Sequence, residues 1–109
     1  MTTHRNPSTK EYARRASARR QRLVEAIASL QHKIDEGKLS AAVDHVAIAA
    51  SHQAALDAEL EAAGLSRTAQ DSAAHRRLEH EIDRLKMAIS RSSPYRNPGL
   101  DALVHRLQP

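Results

Sequence analysis

The sequence predicts an all-α fold: an antiparallel helical hairpin or three-helix bundle with coiled-coil-like seams, plus a short C-terminal helix. Three observations carry this. Leucine and isoleucine recur in steps of four and three at Leu23, Ile27, Leu30 and Ile34, and again at Leu78, Ile82, Leu85 and Ile89. That spacing sets apolar side chains in one stripe along a helix. The three glycines, Gly37, Gly64 and Gly99, fall only at turn positions between such stretches. Between the two seams lies an alanine-rich segment, Lys38 to Leu65, with its own aliphatic spacing and a closing glycine.

Residues 1–8 are polar and carry Pro7, and they read as a flexible arm. Ser8 and Glu11 have capping-box spacing, so a first helix is predicted from Thr9 to about Glu36. Gly37 ends it, because a residue without Cβ takes the left-handed C′ conformation freely. Traced backwards, the seam of this helix passes through Arg20, Ala16 and then Tyr12 or Ala13, so it is apolar only in its second half. A second helix follows directly, with Ser40 as its predicted N-cap. Its seam is Val46, Ala49, Gln53, Leu56, Leu60 and Ala63, widened by Ala42, Ala50 and Ala54, which let a neighbour come close. Gly64 and Leu65 have the spacing of a Schellman ending. So short a turn at Gly37 and Lys38 makes these two helices antiparallel neighbours.

Thr68 and Asp71 repeat the capping spacing and open a third helix, predicted to reach about Arg91. Ser92 to Asn97 breaks it. Asn97-Pro98 then places an N-cap before a proline at the first helical position. A short helix carries Leu100, Leu103, Val104 and Leu107. The predicted organisation is an arm (1–8), a domain of three long helices (9–91) and a loop with a short helix (92–109). The stretch from Ser17 to Ile34 aligns without a gap on Ser72 to Ile89. Either a helical hairpin has been duplicated, or two heptad helices simply share a pattern.

Composition limits the function classes. The chain has 109 residues, no Cys, no Trp, no Phe and only 2% aromatic residues. Alanine buries little area at roughly 25 cal/mol per Å², so the core of a lone chain is thin and association with apolar surface is the natural remedy. The absence of Cys excludes disulfides and thiolate metal sites and suits a cytoplasmic protein. No apolar run reaches the roughly 20 residues of a membrane span, and no apolar signal core opens the chain.

No catalytic or cofactor pattern is present. GxSxG, phosphate-loop and HExxH motifs are all missing. His45 and His52 lie two turns apart, and His75 and His80 are five residues apart, so neither pair has the i, i+3 or i, i+4 spacing that two helical ligands need. The reading is a protein that is not an enzyme, with no metal, cofactor or small-molecule substrate. The first turn, Asp35-Glu36-Gly37-Lys38, also lacks the Trp-x-Gly of the small secreted helical hairpins.

Charge is the strongest functional signal. The net charge is +4, but it is uneven. Before Val24 the basic residues Arg5, Lys10, Arg14, Arg15, Arg19, Arg20 and Arg22 face only Glu11. From Asp35 to Glu61 the acids Asp35, Glu36, Asp44, Asp57, Glu59 and Glu61 face only Lys38. Arg14, Arg15, Arg19, Arg20 and Arg22 are therefore the candidate partner-binding residues. They fit an acidic protein surface or the acidic middle of a second copy of this chain; the alternatives are a nucleic-acid backbone, a plain solvated helix end, or internal pairing with Asp57, Glu59 and Glu61 of the second helix. Leu23, Ile27, Leu30, Ile34, Leu56, Leu60, Leu78, Ile82, Leu85 and Ile89 are the candidate self-association seam, for a homo-oligomer or a helical protein partner. Gln53 sits inside a seam, either as a register determinant or as a glutamine at the edge of an alanine face.

Overall fold

A computed structural model of the protein describes residues 9–92 and 98–107. These residues form four helices: α1 (Thr9–Asp35), α2 (Leu39–Ala62), α3 (Ala69–Ser92) and α4 (Pro98–Arg106). The fold is an all-helical bundle, as the heptad spacing predicts. The arm, the Ser8 cap and the Asn97 cap lie outside the described residues.

The helix ends follow from local chemistry. Gly37 and Gly64 have φ of +74° and +67°. At the first, the Lys38 N–H bonds the Lys33 carbonyl and the Gly37 N–H bonds the Ile34 carbonyl, both at 3.0 Å. At the second, Leu65 bonds back to Leu60 at 2.9 Å and Gly64 to Glu61 at 3.0 Å. Both are Schellman endings, which satisfy carbonyls that the helix leaves without partners. The predicted Ser40 cap is not formed. α2 starts two residues earlier than that cap implies, at Leu39, and Lys38 takes the N-cap position without a side-chain cap bond. The Schellman turn delivers the chain straight into α2, and the Lys38 carbonyl already receives the Ala42 N–H at 2.9 Å. At α3 the capping box is complete. Asp71 N–H donates to the Thr68 hydroxyl oxygen at 3.1 Å, and Thr68 N–H donates to the Asp71 carboxylate at 3.1 Å.

α1 and α2 form the antiparallel hairpin, and α3 runs parallel to α1 along one side of it. The pairing shows the direction. Arg20 binds Asp71 near the start of α3, Arg77 donates to Gln31 at 2.8 Å, and Arg84 donates to Asp35 at 2.6 Å. Leu23, Ile27 and Leu30 of α1, Leu56 and Leu60 of α2, and Leu78, Leu85 and Ile89 of α3 are buried in one core, with Ile34 and Ile82 partly buried against it. α4 folds back over α2 and α3. Leu107 is buried, Leu100, Leu103 and Val104 pack on the core, and Arg106 reaches Asp44 at 2.7 Å.

Three polar groups enter this core. Asp71 has no exposed surface and accepts from both Arg20 nitrogens, the Thr68 N–H and the Thr68 hydroxyl. Burial alone would raise its carboxyl pKa, but the hydrogen bonds from Arg20 and Thr68 together outweigh burial and hold it below the ordinary aspartate range. Glu81, only 3% exposed, is held by Arg84 at 2.7 Å, and the same guanidinium grips Asp35. Gln53 is buried and donates to Asp57 at 3.1 Å, while its Oε1 has no partner among the described residues. Asp57 is in turn held by Arg67 at 3.0 Å, which ties α2 to the loop after it.

The core is slender: alanines (Ala16, Ala26, Ala42 and Ala49) are four of the fourteen buried apolar residues among those described, and none of the fourteen is aromatic.

Two substitutions test these assignments by thermal melts. Asp71→Asn removes the charge that holds Arg20 and weakens the α3 cap, at a cost on the order of 2–3 kcal/mol. Because the folded-state pKa of Asp71 is depressed, its stabilisation is complete above the unfolded aspartate pKa and is lost as pH falls through the lower folded value. The wild type is therefore expected to lose its advantage over Asp71→Asn in that acidic window. Gln53→Leu removes the orphaned Oε1 and is expected to stabilise the chain by about 1 kcal/mol.

Candidate functional site

The arginine run lies on α1, and helical phase divides it. At 3.6 residues per turn, Arg19 and Arg20 flank the core-facing stripe of Ala16, Leu23 and Ile27 on opposite sides. Arg20 turns to α3 and grips Asp71, so it is part of the fold. Arg19 turns to α2, where one nitrogen lies 3.0 Å from His52 Nδ1 and another 3.9 Å from Glu59. A guanidinium only donates, so the His52 nitrogen facing it is an acceptor. Arg14, Arg15 and Arg22 are exposed on the outer face of α1. Arg15 lies over the Tyr12 ring, 5.7 Å from its centroid. Arg14 and Arg22 meet no carboxylate among the described residues. The structure thus brings three of the five predicted binding arginines together on one solvent face and turns two inward.

The acids of α2 answer the question of internal pairing. Asp57 is held by Arg67 and Asp44 by Arg106, and Glu59 lies at the limit of ion-pair distance from Arg19. Glu61 is exposed and unpaired among the described residues.

The seam residues predicted for self-association serve a different end. Leu23, Ile27, Leu30, Leu56, Leu60, Leu78, Leu85 and Ile89 are buried within one chain. Three seams facing one another close into an intrachain core, so none of these eight is free to meet a second copy. The surface that remains open is elsewhere. An open groove of about 490 Å³ runs between α2, α3 and α4, with Val43, Val46, Ala47, Ile82 and Leu107 in its walls and Arg106 at its edge. It continues onto the outer side of α2. There Ala47, Ala50, Ser51, Ala54, Ala58 and Ala62 are exposed, Asp44 and Glu61 stand at the two ends, and the Asp57 carboxylate, 40% exposed, lies beside this side paired with Arg67. α1 and α3, by contrast, are charged on their outer sides.

Three other histidines, His32, His45 and His75, make local contacts. His45 Nδ1 donates to the Ala41 carbonyl at 2.8 Å, and His32 and His75 sit 2.9 and 3.0 Å from Glu36 and Glu79 one turn on. Among the described residues no group of three or more His, Cys, Asp or Glu side chains could hold a metal ion. No helix among them is long and apolar enough to cross a membrane.

Sequence reasoning missed the Arg20–Asp71 pair, although both residues occupy seam positions of their helices. Opposite charges on two facing seams were the available signal.

Changing Arg14, Arg15 and Arg22 together to Glu is expected to leave helicity and the melting midpoint nearly unchanged, because exposed charges contribute under about 1 kcal/mol each. Arg20→Glu sets a second carboxylate beside buried Asp71 and is expected to cost about 3 kcal/mol or more. Circular-dichroism melts rank the two variants; a larger loss from the triple variant would place the outer arginines in the fold instead.

No family model, curated protein or solved structure matches this chain, so no relative lends it a family, a partner or a ligand.

Proposed function

We propose that this chain is a non-enzymatic helical assembly module that self-associates and turns its arginine face to an acidic partner. The observation that carries this reading is the outer side of α2. Between Asp44 and Glu61 every exposed position is alanine, serine or isoleucine. A water-facing helix side that shows mainly small residues over four turns is the exception and is normally covered. Val24, Ile48 and Met87, each close to half exposed, add apolar surface on the other faces. The arginine face supplies the second half of the reading. Three guanidiniums project from one side of α1, and none of the three meets a carboxylate among the described residues, which leaves them available to an external anion.

A second reading keeps the same face and changes the ligand. Arg14, Arg15 and Arg22, separated by small residues such as Ser17 and Ala18, suit a phosphate backbone as well as carboxylates.

Light scattering on a sizing column tests the assembly half: more than one chain is expected at micromolar concentration, and a compact monomer at every concentration would refute it. For the basic face, the material is purified without nuclease. Only Tyr12 and Tyr95 absorb near 280 nm, so bound nucleic acid would dominate the spectrum. An acidic protein partner is expected to leave no such signature. Co-purifying nucleic acid that is lost steeply with log salt, and lost in the triple Arg→Glu variant, would favour the second reading.

A further inference from the structure

We infer that the self-associated form is a two-fold dimer in which α2 packs antiparallel on α2 of a second copy, with Arg106 bridging to the partner's Glu61. This rests on the assembly reading and specifies its interface.

The exposed side of α2 is self-complementary when reversed. In an isologous interface the same patch meets itself, so residue i opposes residue j and j opposes i. With the axis between His52 and Gln53, Ala47 opposes Ala58 and Ser51 opposes Ala54. Only small side chains meet along this line, and all four positions are exposed in the single chain. Small residues let two helix axes approach to the lower end of the usual 8–10 Å.

The charges at the two ends match in the same register. Asp44 opposes the second copy's Glu61, and two carboxylates face to face would repel. Arg106 removes the conflict. It already sits on Asp44 at 2.7 Å, is half exposed, and lines the groove beside Ala47. Its guanidinium carries five donors, enough for a second carboxylate, and Glu61 is exposed without a partner among the described residues.

The apolar features fit as well. Leu65, 38% exposed, follows α2 and comes level with the start of the second copy's α2, where the Val43, Ile82 and Leu107 groove opens. A different helical protein would need none of this reversal symmetry; a second copy requires all of it.

The chain has no Cys, so single cysteines report the geometry directly. Ala47→Cys and Ala58→Cys, mixed and oxidised, are expected to form a mixed disulfide dimer. Either variant alone is expected to form little, because equivalent residues lie eleven positions, or about 16 Å, apart along the axis. Ala54→Arg places unpaired like charges near the two-fold axis and is expected to weaken the dimer about a hundredfold, with unchanged helicity. Glu61→Arg is expected to weaken it about tenfold. Light scattering that finds only monomer overturns both this inference and the assembly reading. An oligomer that forms no 47–58 cross-link, that self-cross-links at Ala47→Cys, or that tolerates Ala54→Arg overturns the antiparallel α2 interface alone. It would leave self-association through another face intact.

Discussion

Asp71 has no surface left for water, and its acceptor sites are taken by two elements that must both be in place. Thr68 supplies two donors from the loop before α3, and Arg20 supplies two from α1. A carboxylate has about four such sites, so this one is saturated. One side chain therefore sets where α3 begins and where it docks on the hairpin. Each half of the arrangement needs the other. Without the Thr68 cap the carboxylate would be free to rotate, and without Arg20 a charge would be buried unpaired. With this end fixed, the Asp35–Arg84–Glu81 cluster sets the far end of the same helix pair. The apolar seam between them then has one register.

That polar clamp matters because the apolar core is slender. Much of α2 is alanine, which fills the space between close helices but removes little area from water. Such a core has little margin to select among sliding registers of three heptad helices, and paired charges at its ends supply that selection. Alanine also has an outward consequence. With nine alanines among its 24 residues, α2 has no strongly polar side, so α1 and α3 cover part of it and leave a stretch of small residues exposed.

Helix number, order and ends were legible in the sequence, because Gly37, Gly64 and the Thr68–Asp71 spacing each act through neighbours in the chain. The Ser40 cap failed for the same kind of reason: the Schellman turn before it left no extended residue for a cap. The candidate site was legible only in part. The run of five arginines is plain in the sequence, but their division into three outward and two inward residues depends on helical phase and on which acids α2 and α3 bring near. The burial of the Leu and Ile seams within one chain was hidden similarly. A heptad seam looks the same whether its partner is the next helix or another molecule.

The arrangement of charge links the two proposed surfaces. α2 contributes only acids, and Asp44, Asp57 and Glu59 each have an Arg of the same chain within ion-pair distance. Its outer side is consequently near neutral although the chain as a whole is basic. The arginine face lies on α1, the neighbour on the opposite side of α2. Two copies paired through α2 would thus bring their near-neutral sides together and direct their arginine faces outward on opposite flanks. Repulsion between those faces falls with distance and is screened beyond roughly 8–10 Å at physiological salt. The proposed antiparallel pairing would therefore let a basic chain dimerise without opposing its own charge, and it would offer an acidic partner two equivalent faces rather than one.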